Sequence, residues 1–143
     1  MTHATSTHAT SPRTLLRTTL QVDALASGSM GALLALNGGA LSALFQLPEP
    51  LLRGAGLALI PFAAAVGYVG TRADVSRGAS LAIALVNLLW VAASVLLLVG
   101  DAVSPAGLGV AFVMVQAIAV LVFADLQLMG LRRSRRPVTA AER

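Results

Sequence analysis

Four long apolar stretches, separated by short polar breaks, organise the chain. They run from about Gln21 to Leu47, Leu51 to Gly70, Ala79 to Val99 and Gly107 to Leu131. Each holds about 20 residues or more, which at about 1.5 Å per helical residue covers a hydrocarbon core of about 30 Å. Pro48-Glu49-Pro50 closes the first stretch, Thr71–Gly78 with Arg72, Asp74 and Arg77 closes the second, and Gly100-Asp101 with Pro105 closes the third. Backbone polar groups in lipid must be satisfied within the segment, so the pattern predicts helices rather than isolated strands. The expected fold is all-α: a polytopic membrane protein with four transmembrane helices in an up-down bundle, spanning residues 20–131.

The ends read differently. Residues 1–19 are polar and open on a direct repeat, Thr2–Ser6 and Thr7–Ser11, followed by Pro12. No apolar period precedes Leu20, so a disordered leader is expected there. His3 and His8 lie in it without a third ligand, a poor basis for a metal site. Arg13 and Arg17 ahead of an apolar stretch also fit a cleaved signal peptide, but that stretch is longer than signal sequences use. Residues 132–143 form a basic tail.

Composition sharpens the picture. The chain has 143 residues, 57% hydrophobic and only 11% charged, too few charges to solvate a soluble domain. With no Cys there is no disulfide, thiol nucleophile or thiolate metal site. All ten basic residues are Arg, a bias that fits a high-GC bacterial source. No basic stripe with interleaved aromatics points to nucleic acid. Arg13, Arg17, Arg72, Arg77, Arg132, Arg133, Arg135, Arg136 and Arg143 fall on one side of an up-down threading, and Arg53 alone on the other. The positive-inside rule therefore predicts both termini in the cytoplasm and residence in a bacterial inner membrane.

Polar residues within the spans are the candidates for chemistry. On the first helix Asp23, Ser27, Met30, Leu34 and Asn37 share a narrow arc; on the third, Ser80, Asn87 and Ser94 recur every seventh residue. On the fourth, Gln116, Val120, Phe123 and Gln127 form a stripe. Such side chains either line a polar path or hydrogen-bond neighbouring helices. Intramembrane carboxylates suggest a proton or cation site, and Asp23, Asn87 and Asp125 lie at similar depth. Asp125, however, faces away from the Gln116/Gln127 stripe and shares its face with Arg132, so an ion pair is the alternative. Ser27, Gly31, Ala35 and Gly39 form a ladder of small residues suited to close helix packing. Pro61 removes a hydrogen bond inside the second helix and is a candidate hinge. Trp90 sits mid-helix, and Tyr68 lies near the inner interface as an aromatic anchor. No nucleotide loop, cofactor ligand set or nucleophile–base pair is present, so no cofactor or catalytic residue is expected.

The run Asp23–Leu47-Pro48, the step Ile60-Pro61-Phe62, the segment Asn87-Leu88-Leu89-Trp90 and the Arg-rich end after Asp125 together resemble small, mostly uncharacterised four-span bacterial inner-membrane proteins. The chain departs from small multidrug exporters, which depend on a Glu in the first span, since no span here carries Glu. It also lacks the interhelical Arg residues of four-span glutathione-using enzymes. The expected function is that of a non-enzymatic, structural or accessory bundle embedded in the lipid bilayer, associating with itself or a membrane-protein partner. A minimal transporter or channel for a small solute, proton or cation, using Asp125 and Asn87, is the alternative, and a membrane-embedded enzyme a further one.

Overall fold

The computed structural model describes residues 12–72 and 74–133. The expected leader up to residue 11 and the tail beyond residue 133 lie outside the described residues. Four helices follow one another: α1 (Pro12–Phe45), α2 (Glu49–Thr71), α3 (Arg77–Val99) and α4 (Gly107–Arg133). All four are long and apolar enough to cross a membrane. Large apolar side chains cover the outside, with Leu25, Leu36, Leu89, Val99 and Val115 among the most exposed. In water such a surface would drive aggregation, whereas against lipid tails it needs no cover.

Local chemistry sets most boundaries. Pro12 opens α1, where its missing N–H costs nothing. The helix therefore begins well before the expected start near Gln21. Leu16, Thr19 and Leu20 are buried, and the two leucines pack with Val66, Ile83 and Leu131. That packing draws residues 12–19, expected as leader, into the bundle. At the other end Gln46 takes a left-handed backbone (φ 53°), and Ser42 Oγ donates to the Leu47 carbonyl at 2.6 Å. Pro48 then caps α2, its carbonyl accepting from the N–H groups of Leu51 and Leu52 at 3.0 and 3.2 Å. Ser76 caps α3 by accepting from the Ala79 N–H, and Gly100 ends it.

Near its C-terminal end α1 is broken at Asn37 (φ −112°, ψ 18°). The Asn37 side chain donates to the Leu33 carbonyl at 3.3 Å, competing with the backbone ladder, and Gly38-Gly39 follow. α2, by contrast, runs through Pro61 as one helix.

α1 is the central packing partner, lying against α2 on one side and α4 on the other, while α3 packs on α4. The α1/α2 contact is built on small residues. A Cβ added at Gly56 would stand 2.5 Å from the Ala35 nitrogen and 2.7 Å from the Gly31 carbonyl oxygen. Gly28 meets Ala63, Gly67 meets Ala24, and Gly38 accommodates the Arg53 stem. The ladder expected from Ser27, Gly31, Ala35 and Gly39 thus includes a close approach between helices of the same chain. At the C-terminal end of α1 Phe45 stacks on Phe112, with ring centroids 4.5 Å apart, and its carbonyl accepts from the Ala106 N–H at 3.0 Å. α2 and α3 barely touch, which leaves a cleft between them.

These contacts predict opposite outcomes for two glycines on α2. Gly56→Ala forces a methyl into backbone and should destabilise the fold by about 1–3 kcal/mol. Gly54→Ala meets nothing within 4 Å and should be neutral or stabilising by up to about 1 kcal/mol. Unfolding titrations with sodium dodecyl sulfate in mixed micelles check both.

Candidate functional site

The polar centre of the molecule is Asp23, whose side chain is fully buried (0% exposed). Ser27 lies one turn further along α1, and its Oγ donates to Asp23 Oδ1 at 3.0 Å. Asp23 Oδ2 accepts two further hydrogen bonds, from Asn87 Nδ2 of α3 at 2.8 Å and Gln127 Nε2 of α4 at 2.7 Å. A longer contact of 3.4 Å links Asn87 Nδ2 to Gln127 Oε1. Asn87 and Gln127 are themselves buried. One carboxylate therefore ties three helices together.

Every group that touches Asp23 is a donor, the pattern an acceptor-only carboxylate requires. No cation pairs with it among the described residues, where the ion pair present is the exposed Arg53–Glu49 contact at 2.8 Å. Amide and hydroxyl donors alone surround Asp23. No buried side-chain nitrogen or oxygen among the described residues lacks a hydrogen-bond partner. No buried polar atom of the cluster is left unpaired, as a polar network in an apolar bundle requires to favour folding.

The structure brings together some of the polar residues singled out in the sequence and separates others. Asp23, Asn87 and Gln127 meet, and Ser27 joins them. Ser27 was expected among the packing residues, although its place one turn after Asp23 on the same arc already allowed the bond. Asp125 is exposed on the far side of α4 and does not reach Asn87, and no ion pair joins it to Arg132 among the described residues. Asn37 is exposed at the break in α1, and Pro61 is exposed on α2. Ser80 and Ser94 donate to carbonyls of their own helix, of Ser76 at 3.1 Å and Trp90 at 2.9 Å.

Two cavities open beside the cluster. One, of about 450 Å³, lies between α1 and α4 and includes Ser27 and Gln116 in its lining. The other, of about 370 Å³, is the cleft between α2 and α3, lined by Trp90, Ser94 and again Gln116. Gln116 is half-buried and sits on the wall common to both. Neither lining contains a charged residue. Among the described residues no group of three His, Cys, Asp or Glu side chains could hold a metal ion. Arg72 lies over the Tyr68 ring at 4.4 Å, where α2 ends.

No protein-family model, curated protein or solved structure matches the chain.

The bonding pattern predicts a graded response at position 23. Asp23→Leu leaves the amide donors of Asn87 and Gln127 buried without an acceptor, at a cost of about 1–3 kcal/mol. Asp23→Asn keeps an oxygen for those donors and offers its own N–H to Ser27 Oγ. Losing charge assistance alone should cost less, about 1 kcal/mol or under. Equilibrium unfolding of both variants in bicelles measures the difference.

Proposed function

We propose that this chain is a small, non-enzymatic membrane bundle of structural or accessory type, threaded up and down through a bacterial inner membrane with both termini cytoplasmic. The observation that carries the non-enzymatic reading is the Asp23 cluster, whose hydrogen bonds are made among α1, α3 and α4. Catalysis needs at least two reactive groups converging on a cavity, and the two cavities offer only amide, hydroxyl and indole groups within apolar walls. The threading is supported by register: Leu20 lies near Gly70 and Gly38 near Arg53 across α1/α2, while Leu16 lies near Gly130 and Phe45 near Gly109 across α1/α4. Arg17, Arg72, Arg77 and Arg132 then share one end, opposite Arg53 and Asp101.

Association with a second copy or a membrane partner is supported by Asp125. A carboxylate on the outer face of a spanning helix is costly in lipid and favours a donor from outside the chain. The small-residue ladder is occupied by α2 and supplies no such interface.

A second reading, proton or cation transport, is favoured by one observation: Asp23 is a buried carboxyl group with no cationic partner among the described residues. It moves the transport carboxylate from Asp125, where the sequence placed it, to Asp23.

Two measurements test these readings. Single-molecule photobleaching in supported bilayers should show density-dependent association that Asp125→Leu weakens several-fold; monomers at every density would remove the associating role. Proteoliposomes carrying a pH-sensitive dye should leak protons no faster than empty vesicles. A flux lost in Asp23→Asn, which retains the cluster geometry, would replace the accessory reading with transport.

A further inference from the structure

The cleft between α2 and α3 exists because these two helices, neighbours in sequence, lack both of the contacts that close the rest of the bundle. No glycine of one meets the other, and the polar cluster takes nothing from α2. Its walls are apolar, with Leu51, Ala55, Leu97 and the ring of Phe112 among them, and contain no charge. Two polar groups interrupt them, the indole N–H of Trp90 and the amide of Gln116. Neither makes a hydrogen bond within the described residues. Both residues are only half-buried, and because no buried polar atom is orphaned, both groups are open to approach. Ser94 cannot serve them, since its hydroxyl proton is committed to the Trp90 carbonyl at 2.9 Å.

We propose that this cleft binds a planar, uncharged amphiphile that presents a carbonyl acceptor on its ring and trails an apolar tail, the chemistry of a membrane quinone. The inference rests on the bilayer placement, which makes the cleft open sideways into lipid. Complementarity selects the occupant. A bare acyl chain would fill the volume and leave the Gln116 amide donor unmet, at the cost that any dry unpaired donor carries. A charged headgroup would meet no counter-charge. A helix from a second copy, about 10 Å across, is too wide for about 370 Å³ of space. A flat ring fits against Trp90 and Phe112 by stacking, its carbonyl accepts from Gln116 Nε2–H, and its tail leaves between α2 and α3. The volume lies within the range of small-molecule sites. The proposal is of binding alone, with no electron transfer.

Trp90 is the sole tryptophan of the chain, so its fluorescence reports on this cleft directly. The full-length protein in mild detergent is titrated with decylubiquinone and, separately, with decylbenzene, which has ring and tail but no carbonyl. Saturable quenching by the quinone is expected, with decylbenzene much weaker. Gln116→Leu should raise the quinone midpoint about three- to tenfold, the range of one lost hydrogen bond. Ala55→Phe, which fills the cleft from α2, should abolish saturation, with circular dichroism confirming that both variants keep their helices. Non-saturating quenching common to all proteins would overturn the site. An equal response to decylbenzene, or an unchanged midpoint in Gln116→Leu, would overturn carbonyl recognition. Flotation of proteoliposomes tests the bilayer placement separately, so its failure is distinguishable from failure of the cleft to bind.

Discussion

A carboxylate buried among apolar helices has to find its hydrogen-bond partners inside the protein, because neither lipid nor a packed core can supply them. Asp23 meets that constraint with one hydroxyl from its own helix and one amide each from α3 and α4. The consequence reaches beyond the cluster. The backbones of α1 and α3 do not approach each other, so the Asp23–Asn87 bond, with the packing of Leu16 and Leu20 about Ile83, relates their rotation and depth. Gln127 fixes α4 by the same atom, Asp23 Oδ2. A one-residue slip or a rotation of any of the three helices by about 100° would orphan a buried polar group.

The contact between α1 and α2 works by a different principle. It contains no polar network; close approach of backbones at Gly31, Ala35 and Gly56 provides dispersion contacts that larger residues would prevent. The bundle is therefore held by two unlike devices arranged around α1, one steric and one electrostatic. α3 and α4 add ordinary side-chain packing between them. The remaining pair, α2 and α3, has neither device, and the cleft at Trp90 and Gln116 is the geometric result.

Much of this was legible in the residues, for reasons that can be named. Span ends followed from the breaks at Pro48-Glu49-Pro50, Thr71–Gly78 and Gly100-Asp101, and the helices observed there lie close to those expected. The start of α1 was not legible, because Leu16 and Leu20 are sparse within a Thr- and Arg-rich segment and are held by tertiary contacts with Val66, Ile83 and Leu131. Similar depth brought Asp23 and Asn87 into consideration together, and helical angles set Gln127 and Asp125 on opposite faces of α4. Which of those two faces the interior was beyond periodicity, since α4 is apolar nearly all round. The hydrogen bonds from two amides to Asp23 decide it in favour of Gln127. The cleft was invisible in sequence, as it arises from a contact that two helices fail to make.

The bond from Asn87 to Asp23 in a lipid bilayer is the point on which the arrangement stands. The chain has only two asparagines, Asn37 and Asn87, so selective labelling makes the experiment direct. Solid-state NMR on the protein in liposomes, with nitrogen-15 in the asparagine side chains and carbon-13 in the aspartate carboxyls, reads the dipolar coupling between them. A strong coupling from the Asn87 amide to the Asp23 carboxyl carbon, lost in Asp23→Leu, is the expected result. Absence of that coupling in a protein whose α1/α2 contacts remain intact would contradict a bundle organised on a single buried carboxylate.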